Sequence, residues 1–159
     1  MAVRVGDPDL WSTAGTTLAV VELSLGAPDR AFAAASLATR YAQGLFAAEA
    51  FAVQGVAALR EGDTGERTLH AFATAADLAR DLRATAPGSY RTYEVEGLAL
   101  AGLTLLRPEL GEQAALSAYQ AAQQILNLGG ARFRRRELFA ALTANWPGSP
   151  LPRVRAMLG

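Results

Sequence analysis

The sequence contains no cysteine and no lysine, and His70 is its single histidine. Without cysteine there is no disulfide framework, no thiolate zinc site and no thiol nucleophile. Without lysine there is no GxxxxGK[ST] phosphate loop, so any ATPase activity would have to live on another domain. His70 alone lacks the oriented partner and nucleophile that catalysis needs, and Asp77 and Asp81 would be a thin metal-ligand set beside it. No apolar run approaches the ~20 residues that cross a bilayer. The opening stretch MAVRVGDPDLW lacks the apolar core of a signal peptide, because Asp7 and Asp9 interrupt it. These absences lead to an expectation of a cytoplasmic, non-enzymatic protein with no metal, no cofactor and no membrane partner.

What is present is a chain of 159 residues, 51% hydrophobic and 19% charged, which suits one domain over residues 1–159. All fifteen basic residues are arginine, and they are unevenly placed. Residues 1–129 carry nine Arg against fourteen Asp and Glu, a net of −5, whereas residues 130–159 carry six Arg against Glu137, a net of +5. Overall neutrality therefore hides an acidic body and a basic end.

Apolar residues recur at helical spacing, and no stretch alternates long enough to read as a strand. Short breaks punctuate the chain: LGAPD (25–29), EGDTGE (61–66), TAPGS (85–89), RPELGE (107–112), LGG (128–130) and WPGSPLP (146–152). Pro28 stands where a helix would start, since its missing N–H is not needed in a first turn. The spacing predicts helices over about 8–25, 28–44, 46–61, 65–85, 89–107, 112–128 and 131–145, with a short one near 150–158.

The chain also repeats itself. AFAAASLATR (31–40) is answered by AFATAADLAR (71–80), with five of ten positions identical. The first, third and fifth helices each hold an aromatic followed four residues later by glycine: Trp11 and Gly15, Phe51 and Gly55, Tyr93 and Gly97. The second, fourth and sixth each hold an aromatic followed three residues later by alanine: Phe32 and Ala35, Phe72 and Ala75, Tyr119 and Ala122. Helix pairs of this kind cannot bury both apolar faces alone, so near-identical pairs stack and cover one another. Glycine removes a side chain where the second helix crosses the first, at roughly 1 kcal/mol of helix propensity. The aromatics are expected to fill the space between pairs.

This pattern resembles the tetratricopeptide repeat, in which an aromatic and a glycine lie four residues apart on the first helix, and small and aromatic residues follow on the second. The resemblance covers roughly 8–128, although the period of 40 and then 42 residues is longer than the usual 34. It implies an all-α, right-handed stack of antiparallel helix pairs, a TPR-like α-solenoid of about seven to eight helices. The repeats would be about 8–44, 46–85 and 89–128, with a capping segment over 131–159. A second resemblance concerns RTYEVEGLALAGLTLL, AALSAYQAAQQI, FRRRELFAAL and PLPRVRAMLG, which look like the C-terminal helical repeats of actinobacterial STAND-type NTPases. It implies a sensor or interaction segment of a bacterial signalling or defence system.

In a stack of this kind the first helices of the pairs line a groove. The register carried over residue by residue nominates Asp9, Ser12 and Thr16, then Glu49, Ala52 and Val56, then Arg91, Glu94 and Leu98. Such a groove is mixed and mildly acidic, suited to an extended peptide or a helix of basic character. RFRRREL (132–138) is the sharpest charge cluster, and Arg132, Arg135 and Arg136 share one side of a helix. They are read first as the polar face of a cap, then as a patch for an acidic protein partner. Nucleic acid is disfavoured, because the body is acidic and no stacking aromatic is identified beside the arginines. Trp146 is expected to plug the end of the stack. Glu94 and Glu96, two apart, should face different sides, and Asp77 and Asp81 should repel unless Arg80 relieves them. The function expected is recognition of a protein or peptide partner, which includes a neighbouring domain of a larger chain. A small-molecule sensor with an apolar pocket between helices and a self-associating adaptor are the alternatives.

Overall fold

The structure, a computed structural model, describes residues 7–126, 129–146, 148 and 151–159. Among them are eight α-helices and no strand: α1 Pro8–Ser24, α2 Pro28–Thr39, α3 Gly44–Arg60, α4 Glu66–Thr85, α5 Tyr90–Leu106, α6 Gln113–Ile125, α7 Gly129–Thr143 and α8 Pro152–Leu158. A single 3-10 turn, Pro108–Leu110, follows α5. No helix among the described residues is long and apolar enough to cross a membrane.

The helix limits follow from local chemistry. Pro8 sits in the first turn of α1, and the Asp7 carboxylate accepts from the Asp9 N–H at 3.0 Å, satisfying one of the free donors there. Pro28 opens α2 as expected. That helix stops at Thr39, short of the expected 44. Its end tightens into i→i−3 bonds, Arg40 N–H to Leu37 O at 3.2 Å and Tyr41 N–H to Ala38 O at 3.1 Å. Gln43 is already extended, and Gly44 then takes a left-handed φ of 53° to open α3. The stretch RYAQ carries no proline or glycine, so nothing in it announces the turn. Pro108 ends α5 by forcing Arg107 out of helical geometry.

Packing follows the repeat in outline. Helices α1 and α2, α3 and α4, and α5 and α6 pack as consecutive hairpins. The odd-numbered helices touch in series, α1 on α3 and α3 on α5, while α2, α4 and α6 stay apart from one another. Helix α7 then crosses the odd-numbered layer, touching α1, α3 and α5, and α8 packs on α6 and α7. The Asn145 amide fixes the far end of α7 by donating to Leu59 O at 2.8 Å. Glu112 caps α8 by accepting from the Arg153 N–H at 3.1 Å and the Val154 N–H at 3.3 Å.

The core is built largely from alanine, with Phe72 and Tyr119 its largest fully buried side chains. Small residues let the helices approach closely. A Cβ placed on Gly55 would come within 2.7 Å of the Phe72 ring, and one on Gly102 within 2.5 Å of the same ring. Gly97 meets the Tyr119 ring in the same way, at 2.9 Å. The first hairpin departs from this scheme. Gly15 lies against Ala38 and the backbone of Ala34, not against a ring, and Phe32 is half-buried under the Arg67 guanidinium at 4.3 Å. Trp11, expected to fill space between pairs, is 55% exposed, because no described helix packs on that side of α1. Trp146 is half-buried against the core, as a plug should be.

Gly102→Ala should lower stability by about 1–3 kcal/mol, the usual cost of overpacking. That loss arises even though alanine gains about 1 kcal/mol of helix propensity. Urea denaturation monitored by circular dichroism reads the difference. An unchanged midpoint would mean that Phe72 does not hold α4 against α5.

Candidate functional site

Glu49 on α3 and Glu94 on α5 stand on neighbouring helices beneath α7. Both carboxylates are turned into the protein: the Glu49 residue is buried and the Glu94 side chain only 14% exposed. Glu49 is held by Arg91, also on α5. Its Nη2 lies 2.7 Å from both carboxylate oxygens, and its Nε donates to Oε1 at 3.0 Å. This two-pronged pairing satisfies a buried carboxylate well. From above, α7 adds Arg134 Nη2 at 3.8 Å from Glu49 Oε1 and Arg135 Nε at 2.7 Å from Glu94 Oε1.

The Arg135–Glu94 pair is close but poorly aligned. The Arg135 side chain is only 3% exposed, and its N–H groups are directed to backbone: Nε to Ala131 O at 3.3 Å and Nη2 to Leu126 O at 3.0 Å. Glu94 Oε1 is left without a hydrogen bond despite the nearby cation. Burial then dominates, and it raises the Glu94 carboxyl to about 7. Arg135 and Arg134 oppose that rise, and Glu49 adds to it. Below the carboxylate lies Tyr119, whose hydroxyl burial keeps protonated, with Glu94 contributing in the same sense.

Ala52, Val53, Val95, Leu98 and Tyr119 form an apolar floor between these charges, and Leu138 of α7 lies over it. The cavity left is about 30 Å³, room for one water and not for a metabolite. Two larger clefts lie elsewhere. One of about 240 Å³ runs between Val20, Leu23 and α7 at Leu138 and Ala141. Another of about 420 Å³ lies between α7 and α8, with Phe139, Trp146 and Leu158 among its walls and Arg136 and Arg155 at its edge.

The nominated groove residues divide accordingly. Glu49, Ala52, Glu94 and Leu98 come together around the floor, with Arg91 bracing Glu49. Val56 is buried one turn further along α3. Ser12 and Thr16 are buried on α1, where the Thr16 hydroxyl donates to Ser12 O at 2.9 Å and the Ser12 hydroxyl has no partner. Asp9 is exposed at the end of α1, away from the cluster. The groove face thus carries the protein's own α7. The arginine patch is also divided: Arg132 and Arg136 are exposed, whereas Arg135 turns inward to Glu94. Sequence reading passed over Arg134, whose role becomes visible only once α7 is seen to lie on α3.

Other charges pair outside the cluster. Glu96 faces the opposite way from Glu94 and takes Arg83 Nη1 at 3.1 Å, and Asp77 takes Arg80 Nη1 at 2.8 Å. His70 is exposed on α4. Among the described residues no group of three or more His, Asp or Glu side chains is placed to hold a metal ion. No protein-family model matches the chain, and no curated protein or solved structure matches it either.

The Glu94 carboxyl has a definite pH signature. Its folded value of about 7 lies above the ordinary 4.5, so the folded state holds a proton that the unfolded state has released. Stability should therefore fall as pH rises from about 4.5 to about 7, by up to about 3 kcal/mol from this group. Glu94→Gln should flatten that limb, which urea denaturation at pH 5 and pH 8 measures. An equal pH dependence in both proteins would show that Glu94 is ionised throughout.

Proposed function

We propose that this chain is a non-catalytic, TPR-like interaction module whose α3–α5 face recognises a basic, amphipathic helix of a protein partner or a neighbouring domain. The observation that carries this reading is the helix lying there now. Arg134, Arg135 and Leu138, one turn of α7, set two guanidinium groups towards Glu49 and Glu94 and an aliphatic side chain over Ala52, Val53 and Leu98. A groove that accommodates such a helix from its own chain has the charge and shape for a similar helix from elsewhere. Helix α7 is then an internal occupant, and a partner must compete with it. The apparent affinity is lowered by the fraction of time the face is covered. The stack of paired helices and the likeness of the later segments to STAND-type repeat regions support a place in a bacterial signalling or defence NTPase system.

A small-molecule sensor is the second reading, and the 420 Å³ cleft between α7 and α8 favours it. Its apolar walls and the two edge guanidinium groups of Arg136 and Arg155 suit an amphipathic anion. The cavity at the charged cluster is too small to serve it.

A labelled peptide covering residues 129–143 should bind the full chain, with fluorescence anisotropy as the readout. Arg135→Ala in the protein, which loosens the internal occupant, should tighten peptide binding at least tenfold. Glu49→Gln combined with Glu94→Gln should weaken it by a similar factor. Absence of binding to the Arg135→Ala protein at about 100 µM peptide would remove this face from consideration.

A further inference from the structure

Helix α1 wears its apolar residues on the wrong side. The face it turns inward is small and partly polar, with Ser12, Thr16, Ala19 and Leu23 buried. Its larger apolar side chains point to solvent: Leu10 is 67% exposed, Trp11 55%, Leu18 51%, Val21 48% and Leu25 69%. With the exposed Ala14, these residues fall within a single arc of about 100° when each residue turns the helix by about 100°. Together they present on the order of 600 Å² of apolar surface, the upper end of what a monomeric protein leaves bare.

We propose that this face is a two-fold interface between two copies of the chain, packed antiparallel along α1. Three features select a second copy. The stripe is close to self-complementary about a point between Thr17 and Leu18. Leu10 meets Leu25 of the other copy, Ala14 meets Val21, and the two Leu18 side chains meet at the centre. An isologous contact requires this kind of self-matching. Parallel packing would also stack Asp7 of one copy on Asp7 of the other at the start of α1, which antiparallel packing avoids. Finally, the area counted on both copies is roughly 1,200 Å², the lower edge of specific protein interfaces. An interface of that size belongs to the small, weakly associating class. The face is separate from the α3–α5 cluster, so the two readings stand or fall independently.

Because the chain has no cysteine, single substitutions report the geometry directly. Sedimentation velocity of the full chain between about 1 and 200 µM should show a monomer–dimer equilibrium. Leu18→Glu should raise its dissociation constant at least tenfold while leaving the circular dichroism melt unchanged, since Leu18 is exposed. Leu18→Cys should form a disulfide-linked dimer on mild oxidation, and Leu10→Cys should link to Leu25→Cys in preference to itself. A monomeric mass throughout the range would overturn the proposal. So would a dimer that survives Leu18→Glu, or one in which Leu10→Cys links mainly to itself.

Discussion

The ring of Phe72 is pressed between two glycines from two different helices, Gly55 of α3 and Gly102 of α5. A side chain of any size at either position would push α4 away from one neighbour. Through this contact one residue of the second hairpin fixes the distance to its own partner helix and to the first helix of the next hairpin. Tyr119 against Gly97 repeats the arrangement one helix further on. The consequence reaches the opposite face of the same helices. With α3 and α5 held side by side, Arg91 of one is within 2.7 Å of Glu49 on the other, and Glu94 stands next to both. Tyr119, positioned by Gly97, supplies part of the apolar floor that raises the Glu94 carboxyl.

Two carboxylates turned inward on adjacent helices repel and are costly to dehydrate. Arg91 answers Glu49 with good geometry, but it does not reach Glu94. Part of the remaining demand is met by α7, which lays Arg134 and Arg135 over the pair. Docking of α7 is therefore a response to an electrostatic condition created by the packing of α3 on α5. It is an imperfect response, since the Arg135 N–H groups go to carbonyls of α7 and its preceding loop. A contact in which the cation is near but its donors are engaged elsewhere holds less firmly than one with matched forks. On the reading proposed above, this contact is where a better-matched helix would compete.

Helix positions were legible at most breaks that proline or glycine marks, as at Pro28, Gly62, Pro108 and Gly111, but LGG (128–130) was read as a break whereas Gly129 and Gly130 open α7. The unmarked turn at 40–43 was read through as helix, as were the extended Leu126 and the turn at 144–145. The close contacts of Gly55 and Gly97 were legible too, because an aromatic recurs at a fixed place on the following helix. The charged cluster was half legible. Glu49 lies two residues before Phe51 and Glu94 one after Tyr93, two different register positions of the same groove, and that register nominated them. Their partners were hidden, since nothing in RFRRREL distinguishes an arginine that faces solvent from one that faces a carboxylate on a distant helix. Helical periodicity puts Arg135 beside Arg132 and Arg136, yet tertiary packing separates them. The long-range placement of α7 is a property of the folded body and leaves no local trace.

Trp11 shows the same limit from the other side. It occupies the position on α1 that Phe51 and Tyr93 occupy on α3 and α5, and the register alone predicts equal burial. Helix α3 has neighbours on both sides and buries eleven of its seventeen residues, so its apolar content is fully used. Helix α1 keeps comparable apolar content with neighbours on one side, and its excess falls on the free side. Burial in such a fold is decided by a helix's place in the row, whereas the sequence of each helix is written as if every place were interior. Among the described residues no element packs on that side of α1, and a helix built to face water there would carry polar residues at 10, 14, 18, 21 and 25. Leucine, alanine and valine stand there instead, in an unbroken line as long as the helix. That line has the length and continuity of a packing surface, and scattered exposed apolar residues have neither. The physical demand that something cover it is the same one that set α3 against α5.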